Sequence, residues 1–138
     1  MTIIYPLLSM IFLTLIVGVQ LLYSNSKAVL KGKVNIESFR LFDSEIPNHL
    51  KSVSQHYKNM FELPVLFYVL CILFFINDNY TDFDVIIAWG FVSFRFLHSL
   101  VRIPNQNVGL RFGLFIGSFV MLIIGWISFI LGYLKLIN

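Results

Sequence analysis

The chain has 138 residues, of which 58% are hydrophobic and only 12% charged. That is about half the charged fraction of an average soluble domain, so a soluble globular protein is excluded in favour of a membrane protein. The formal net charge of +3 comes from loops and helix ends, which offers no extended basic surface for nucleic acid. The chain is too short for two ordinary domains, and its single cysteine, Cys71, allows no internal disulfide. Fifteen Phe, six Tyr and two Trp suit lipid-facing surfaces and interfacial anchoring.

Ile3–Tyr23 is the first apolar run close to the ~20 residues that cross a bilayer. No basic region precedes it and no small-residue cleavage site follows, so it is expected to remain as a membrane helix. The connection Ser24–Lys58 carries Lys27, Lys31, Lys33, Arg40, Lys51 and Lys58 against Glu37, Asp43 and Glu45. Within it Lys31-Gly32-Lys33 reads as a turn, and Asp43 or Ser44 as the N-cap of a helix with Pro47 in its first turn. No breaker interrupts His49–Met60, so one long helix is expected over about Pro47–Ile76. Its first third projects from the membrane, Met60–Ile76 enters it, and Pro64 kinks it just inside.

The next connection, Asn77–Asp84, holds Asp78, Asp82 and Asp84 and no basic residue. Asn79-Tyr80-Thr81 fits a glycosylation sequon, but it lies too tightly against the membrane to be expected to serve as one. Val85–Ile103 is the third span, Pro104–Arg111 a tight polar turn, and Phe112–Leu134 the fourth span. The excess of Lys and Arg places the first and third connections in the cytoplasm and both termini opposite. Lys135 is one charge against this. The expected fold is all-α: a single integral membrane four-helix bundle over residues 1–138, with helices at about 3–23, 47–76, 85–103 and 110–134.

Two polar ladders interrupt this apolar pattern. Gln55, Asn59 and Glu62 enter the second span, and Arg95, His98, Ser99 and Arg102 lie inside the third. Both follow the i, i+3/i+4, i+7 spacing of one helical face. An ionisable group at membrane depth costs about 2.5–3.5 kcal/mol on insertion scales, so the ladders are where function is sought. At 1.5 Å per residue, Glu62 lies ~21 Å and Arg95 ~16 Å from the outer ends of their spans, and the two helices are expected to be antiparallel neighbours. A Glu62–Arg95 ion pair follows as an expectation. Arg111 opens the fourth span beside them. The set describes a net-basic cavity at the cytoplasmic side, with guanidinium groups for carboxylates and Glu62 for an ammonium. A small hydrophilic zwitterion with excess negative charge suits it, and lipid lies at the same level. The competing readings are packing for His98 and snorkelling to headgroups for Arg102 and Arg111. His49, His56, His98 and Cys71 are too scattered to suggest a closed ligand set, so no metal is expected.

Asn59-Met60-Phe61-Glu62 matches the N-x-x-E of helix two in the MAPEG superfamily, the membrane-associated proteins of eicosanoid and glutathione metabolism. Arg95-Phe96-Leu97-His98-Ser99 resembles that family's R-x-x-H-[ST] on helix three, and Arg111 falls where it keeps an arginine at the start of helix four. The resemblance covers nearly the whole chain. It implies a homotrimer with glutathione, a cosubstrate, bound between subunits near the cytoplasmic face. By the same match Arg111 would stabilise the glutathione thiolate, and Asn59, Glu62, Arg95 and His98 would contact the tripeptide or order the site. The pattern departs from the family at four positions. Gln55 replaces an arginine, Arg102 a tyrosine of several members, and Phe112 and Phe115 stand at hydroxyl positions. The implied function is a glutathione-dependent transferase or peroxidase acting on lipophilic electrophiles or lipid hydroperoxides. The alternatives are a non-catalytic lipid-binding or scaffold member of the same fold, and a small transporter. Compact length favours the bacterial inner membrane over the endoplasmic reticulum.

Overall fold

The structure, a computed structural model, describes residues 2–32, 34, 47–102 and 107–137. The described residues form five helices: α1 (Ile4–Leu30), α2 (Asn48–Asn59), α3 (Leu63–Asn77), α4 (Asp82–Arg102) and α5 (Val108–Ile137). Helices α2 and α3 follow each other within one span, so four spans are long and apolar enough to cross a membrane. Among the described residues there is no strand.

Helix α1 runs past Tyr23 because nothing from Ser24 to Leu30 breaks it. It ends at Gly32, whose φ of +64° is left-handed and closes the last turn through its N–H to the Val29 carbonyl at 2.9 Å. The turn expected there begins as foreseen, while Lys33 lies outside the described residues, as do the Asp43 or Ser44 cap and the Ile103–Gln106 stretch of the third connection.

The expected single helix over 47–76 is instead two, broken at Met60–Glu62. Pro64 explains the position. In a continuous helix its ring would crowd the Met60 carbonyl and leave it without a donor. The chain therefore closes α2 early, with Met60 N–H donating to the Tyr57 carbonyl at 3.0 Å and Phe61 N–H to Lys58 at 2.9 Å. It swings through Glu62 (φ −92°, ψ −93°) and restarts at Leu63. Pro64 then sits in the first turn of α3, where its missing N–H costs nothing.

Helix α4 starts earlier than expected because Thr81 and Asp84 cap it reciprocally. The Thr81 N–H and hydroxyl donate to Asp84 Oδ2 at 2.8 and 2.7 Å, and the Asp84 N–H returns to Thr81 Oγ1 at 3.4 Å. Asp84 is 4% exposed, and Ser128 of α5 donates to its Oδ1 at 2.5 Å. The carboxylate therefore joins two helices as well as starting one.

Helix α4 packs most extensively on α5, α1 lies against α2, α3 and α4, and α3 lies against α5. The second and third spans thus occupy opposite corners of the bundle, which corrects the expectation that they lie side by side. They meet through side chains across the axis, where Phe67 and Phe91 stack at 4.3 Å. Met10, Leu13, Leu70, Phe74, Val85 and Leu122 complete the core around them. Bare backbone lets the helices close up: a Cβ on Gly117 would lie 2.7 Å from the Phe94 ring, and one on Gly125 2.8 Å from Leu70. Tyr68 fastens α3 to α1, its hydroxyl 2.7 Å from that of Thr14 and donating to the Met10 carbonyl at 3.3 Å.

The two ends differ in charge. Ile3 and Asp84 line one small internal cavity, and Asn79 abuts Gly132, so the start of α1, the α3–α4 turn and the last turns of α5 share an acidic end. Lys27, Lys31, Lys51, Lys58, Arg102 and Arg111 gather at the opposite, basic end.

Candidate functional site

The break in the second span builds the centre of the site. In an unbroken helix the Leu63 N–H would occupy the Asn59 carbonyl. With α2 ending at Asn59, that carbonyl is one of the orphans at a helix C-terminus. Arg95 of α4 reaches across the bundle and donates to it from Nη2 at 3.0 Å. A cation at a helix C-terminus also suits the helix dipole. Arg95 is completely buried, with its guanidinium carbon 5.8 Å from the Phe91 ring and 5.7 Å from the Phe115 ring. Among the described residues its Nε and Nη1 have no hydrogen-bond partner.

About two helical turns toward the basic end, Arg102 donates from Nη2 to Gln55 Oε1 at 3.2 Å. With the Asn59 amide oriented to satisfy both its atoms, Arg102 Nη1 donates to the Asn59 oxygen at 3.2 Å and the Asn59 nitrogen donates to the Gln55 carbonyl at 3.1 Å. Arg102 Nε has no partner among the described residues. Between the two arginines, Ser99 and His56 share a 2.7 Å hydrogen bond. The His98 ring centre lies 6.4 Å from both the His56 and Phe115 rings, and its Nδ1 has no partner among the described residues. Arg111, half-buried in the first turn of α5, lies near enough for its charge to act on His56, His98 and Arg102.

Of the residues singled out from sequence, the structure brings Gln55, Asn59, Arg95, His98, Ser99 and Arg102 together. Glu62 stands apart. It lies exposed on the bend, because the break rotates it off the face that Gln55 and Asn59 share, and Arg95 bonds the Asn59 carbonyl instead of pairing with it. His56, read as one of several scattered histidines, is 2% exposed and inside the cluster. The signal was available, since His56 lies three residues before Asn59 and so on the same face. Phe115 was read only as a lost hydroxyl, yet it is half of the aromatic sandwich around Arg95. Phe112, 65% exposed, is not part of the cluster.

The cluster therefore holds two deeply buried guanidinium groups and two imidazoles, with Glu62 exposed at its edge. Every partnerless nitrogen of the arginines is a donor. Buried donors are nearly always satisfied, and a guanidinium is best satisfied by a carboxylate or another oxyanion.

The chain matches the MAPEG family over residues 3–131. It belongs to that family. The match spans all four membrane segments and every residue of the cluster, and it makes the chain a multi-pass membrane protein of the group concerned with glutathione and eicosanoid metabolism. No curated protein and no solved structure matches this MAPEG chain significantly.

Proposed function

We propose that this MAPEG protein is a glutathione-dependent transferase or peroxidase acting on lipophilic electrophiles or lipid hydroperoxides. The observation that carries the reading is the pair Arg95 and Arg102. Both are more than nine-tenths buried, and both retain guanidinium nitrogens without partners among the described residues. Arg95 and Arg102 take the carboxylates of glutathione, and Glu62 takes its ammonium. Gln55, Asn59, His98 and Ser99 order the arginines around it. Arg111 lies next to the thiol, where an adjacent cation favours the thiolate, the form that attacks. With an electrophile, the sulfur forms a bond to carbon and the leaving group departs with its electron pair. With a hydroperoxide, the sulfur bonds to the outer oxygen as the O–O bond breaks. An alcohol leaves, and a second glutathione then yields the disulfide and water. The lipid at the same depth delivers the lipophilic partner.

The exposed Glu62 carboxylate on the bend supports a homotrimer in which a neighbour covers it. The basic end faces the cytoplasm, both termini lie opposite, and the bacterial inner membrane is the favoured location. One observation favours a second reading, a non-catalytic lipid-binding member. Phe112 and Phe115 stand where the family's enzymes carry hydroxyls. Titration calorimetry of the purified protein with glutathione, followed by conjugation of a generic electrophile, separates them. Binding with turnover supports the enzyme. Absence of glutathione binding removes it and leaves the lipid-binding reading.

A further inference from the structure

One face of α1 changes character along its length. Phe12, Ile16, Gln20, Tyr23, Lys27 and Lys31 follow each other at steps of three and four residues, which places them in one row. At its lower end this row forms, with Trp89 and Phe96 of α4, an apolar groove of about 500 Å³ that includes Phe12 and Ile16. At its upper end, near the start of α2, it forms a polar cavity of about 260 Å³ that includes Tyr23, Lys27, Lys31 and His49. Lys27 is held over the Tyr23 ring at 5.2 Å and donates to its hydroxyl at 3.3 Å. Among the described residues no carboxylate lines this cavity.

The spacing suits one kind of molecule. Ile16 and Lys27 are about 16 Å apart along the helix axis, and one leaflet of hydrocarbon is about 15 Å thick. A phosphate seated at Lys27 and Lys31 therefore lays its acyl chain down the row to the apolar groove. Tyr23 stands at the boundary, where aromatic residues with a polar tip are favoured. We infer that the α1–α4 flank is a binding site for an anionic phospholipid, with the headgroup phosphate on Lys27, Lys31 and His49 and one chain against Phe12, Ile16 and Phe96. This site is separate from the Arg95 cluster and does not depend on the reading of that cluster.

The test uses the full chain in phosphatidylcholine nanodiscs, with and without phosphatidylglycerol, and native mass spectrometry to count retained lipid. Selective retention of phosphatidylglycerol is expected. In the Lys27→Gln/Lys31→Gln variant the preference falls about 30-fold, each lysine near a headgroup contributing roughly fivefold. Lys51→Gln keeps it. Ile16→Trp, which fills the groove and leaves the lysines in place, also weakens retention. Equal retention of the two lipids by the unmodified protein overturns the inference without reference to any variant. So does displacement of phosphatidylglycerol by millimolar inorganic phosphate, which would mean a free-phosphate site with no acyl component. Efficient chain-to-chain crosslinking of Phe12→Cys to Phe96→Cys would assign the groove to a second copy and likewise overturn it.

Discussion

Replacing Arg95 with methionine separates a structural strut from a ligand site. In the folded chain the guanidinium gains one hydrogen bond to the Asn59 carbonyl and two aromatic contacts, at Phe91 and Phe115. Hydrogen bonds between membrane helices contribute about 0.6 kcal/mol on average, and each cation–π contact about 0.5–1 kcal/mol or somewhat more when desolvated. With the Asn59 carbonyl left without its donor in the variant, at about 1–3 kcal/mol, the favourable sum is about 3–6 kcal/mol. Against it stands the burial of a charge with two unsatisfied nitrogens, each costing about 1–3 kcal/mol. Methionine has a similar length, no charge and suits the same aromatic walls. Arg95→Met is therefore expected to leave stability within about 1 kcal/mol of the parent or to raise it, in line with other buried charges replaced by apolar side chains. Glutathione binding is expected to fall at least about tenfold, the value of one charge-assisted hydrogen bond. Denaturant unfolding in detergent and titration calorimetry read the two quantities. Destabilisation by more than about 3 kcal/mol with unchanged glutathione affinity would refute the reasoning, because Arg95 would then be a brace and not a binder.

Arg111→Ala is expected to slow conjugation about tenfold or more near neutral pH, through a smaller thiolate fraction, with the deficit shrinking as pH rises; rate against pH for both proteins checks it. His56→Ala and Ser99→Ala each leave a buried partner unsatisfied, so a double-mutant cycle on unfolding should return a coupling of about 0.5–1.5 kcal/mol. Gly117→Ala brings a Cβ against the Phe94 ring and should cost about 1–3 kcal/mol, whereas Gly113→Ala meets nothing within 4 Å and should be neutral or slightly stabilising. Asp84→Ala removes the cap of α4 and the link to Ser128, and a loss of at least about 1 kcal/mol is expected by thermal unfolding.

The four spans were legible because long apolar runs have few other uses. The polar residues were legible because each is expensive where it stands. What could not be read was how the bundle folds back on itself. Adjacent spans joined by a short turn are usually neighbours, yet small residues at Gly117 and Gly125 draw α5 between its partners and push the second and third spans to opposite corners. Pro64 was visible, but its effect falls four residues upstream, at the Met60 carbonyl it cannot serve. That displacement turned Glu62 outward and exposed the Asn59 carbonyl to Arg95, so the expected ion pair became a helix cap. His56 was overlooked because histidines were weighed as metal ligands, when its neighbour Asn59 already marked the face it shares.

Burial of Arg95 and Arg102 in α4 also bears on how the chain enters a bilayer. Of the four spans α4 is the least apolar and α5 the most. A lone α4 would have to leave both guanidinium groups in hydrocarbon until α2 arrived to receive them. Helix α5 follows at once, joined by a short connection, and packs along α4 more extensively than any other pair in the bundle. Phe115 already lies on Arg95 within that pair. Helices α4 and α5 are thus suited to leave the insertion machinery together as a hairpin, with α5 carrying its partner into the lipid.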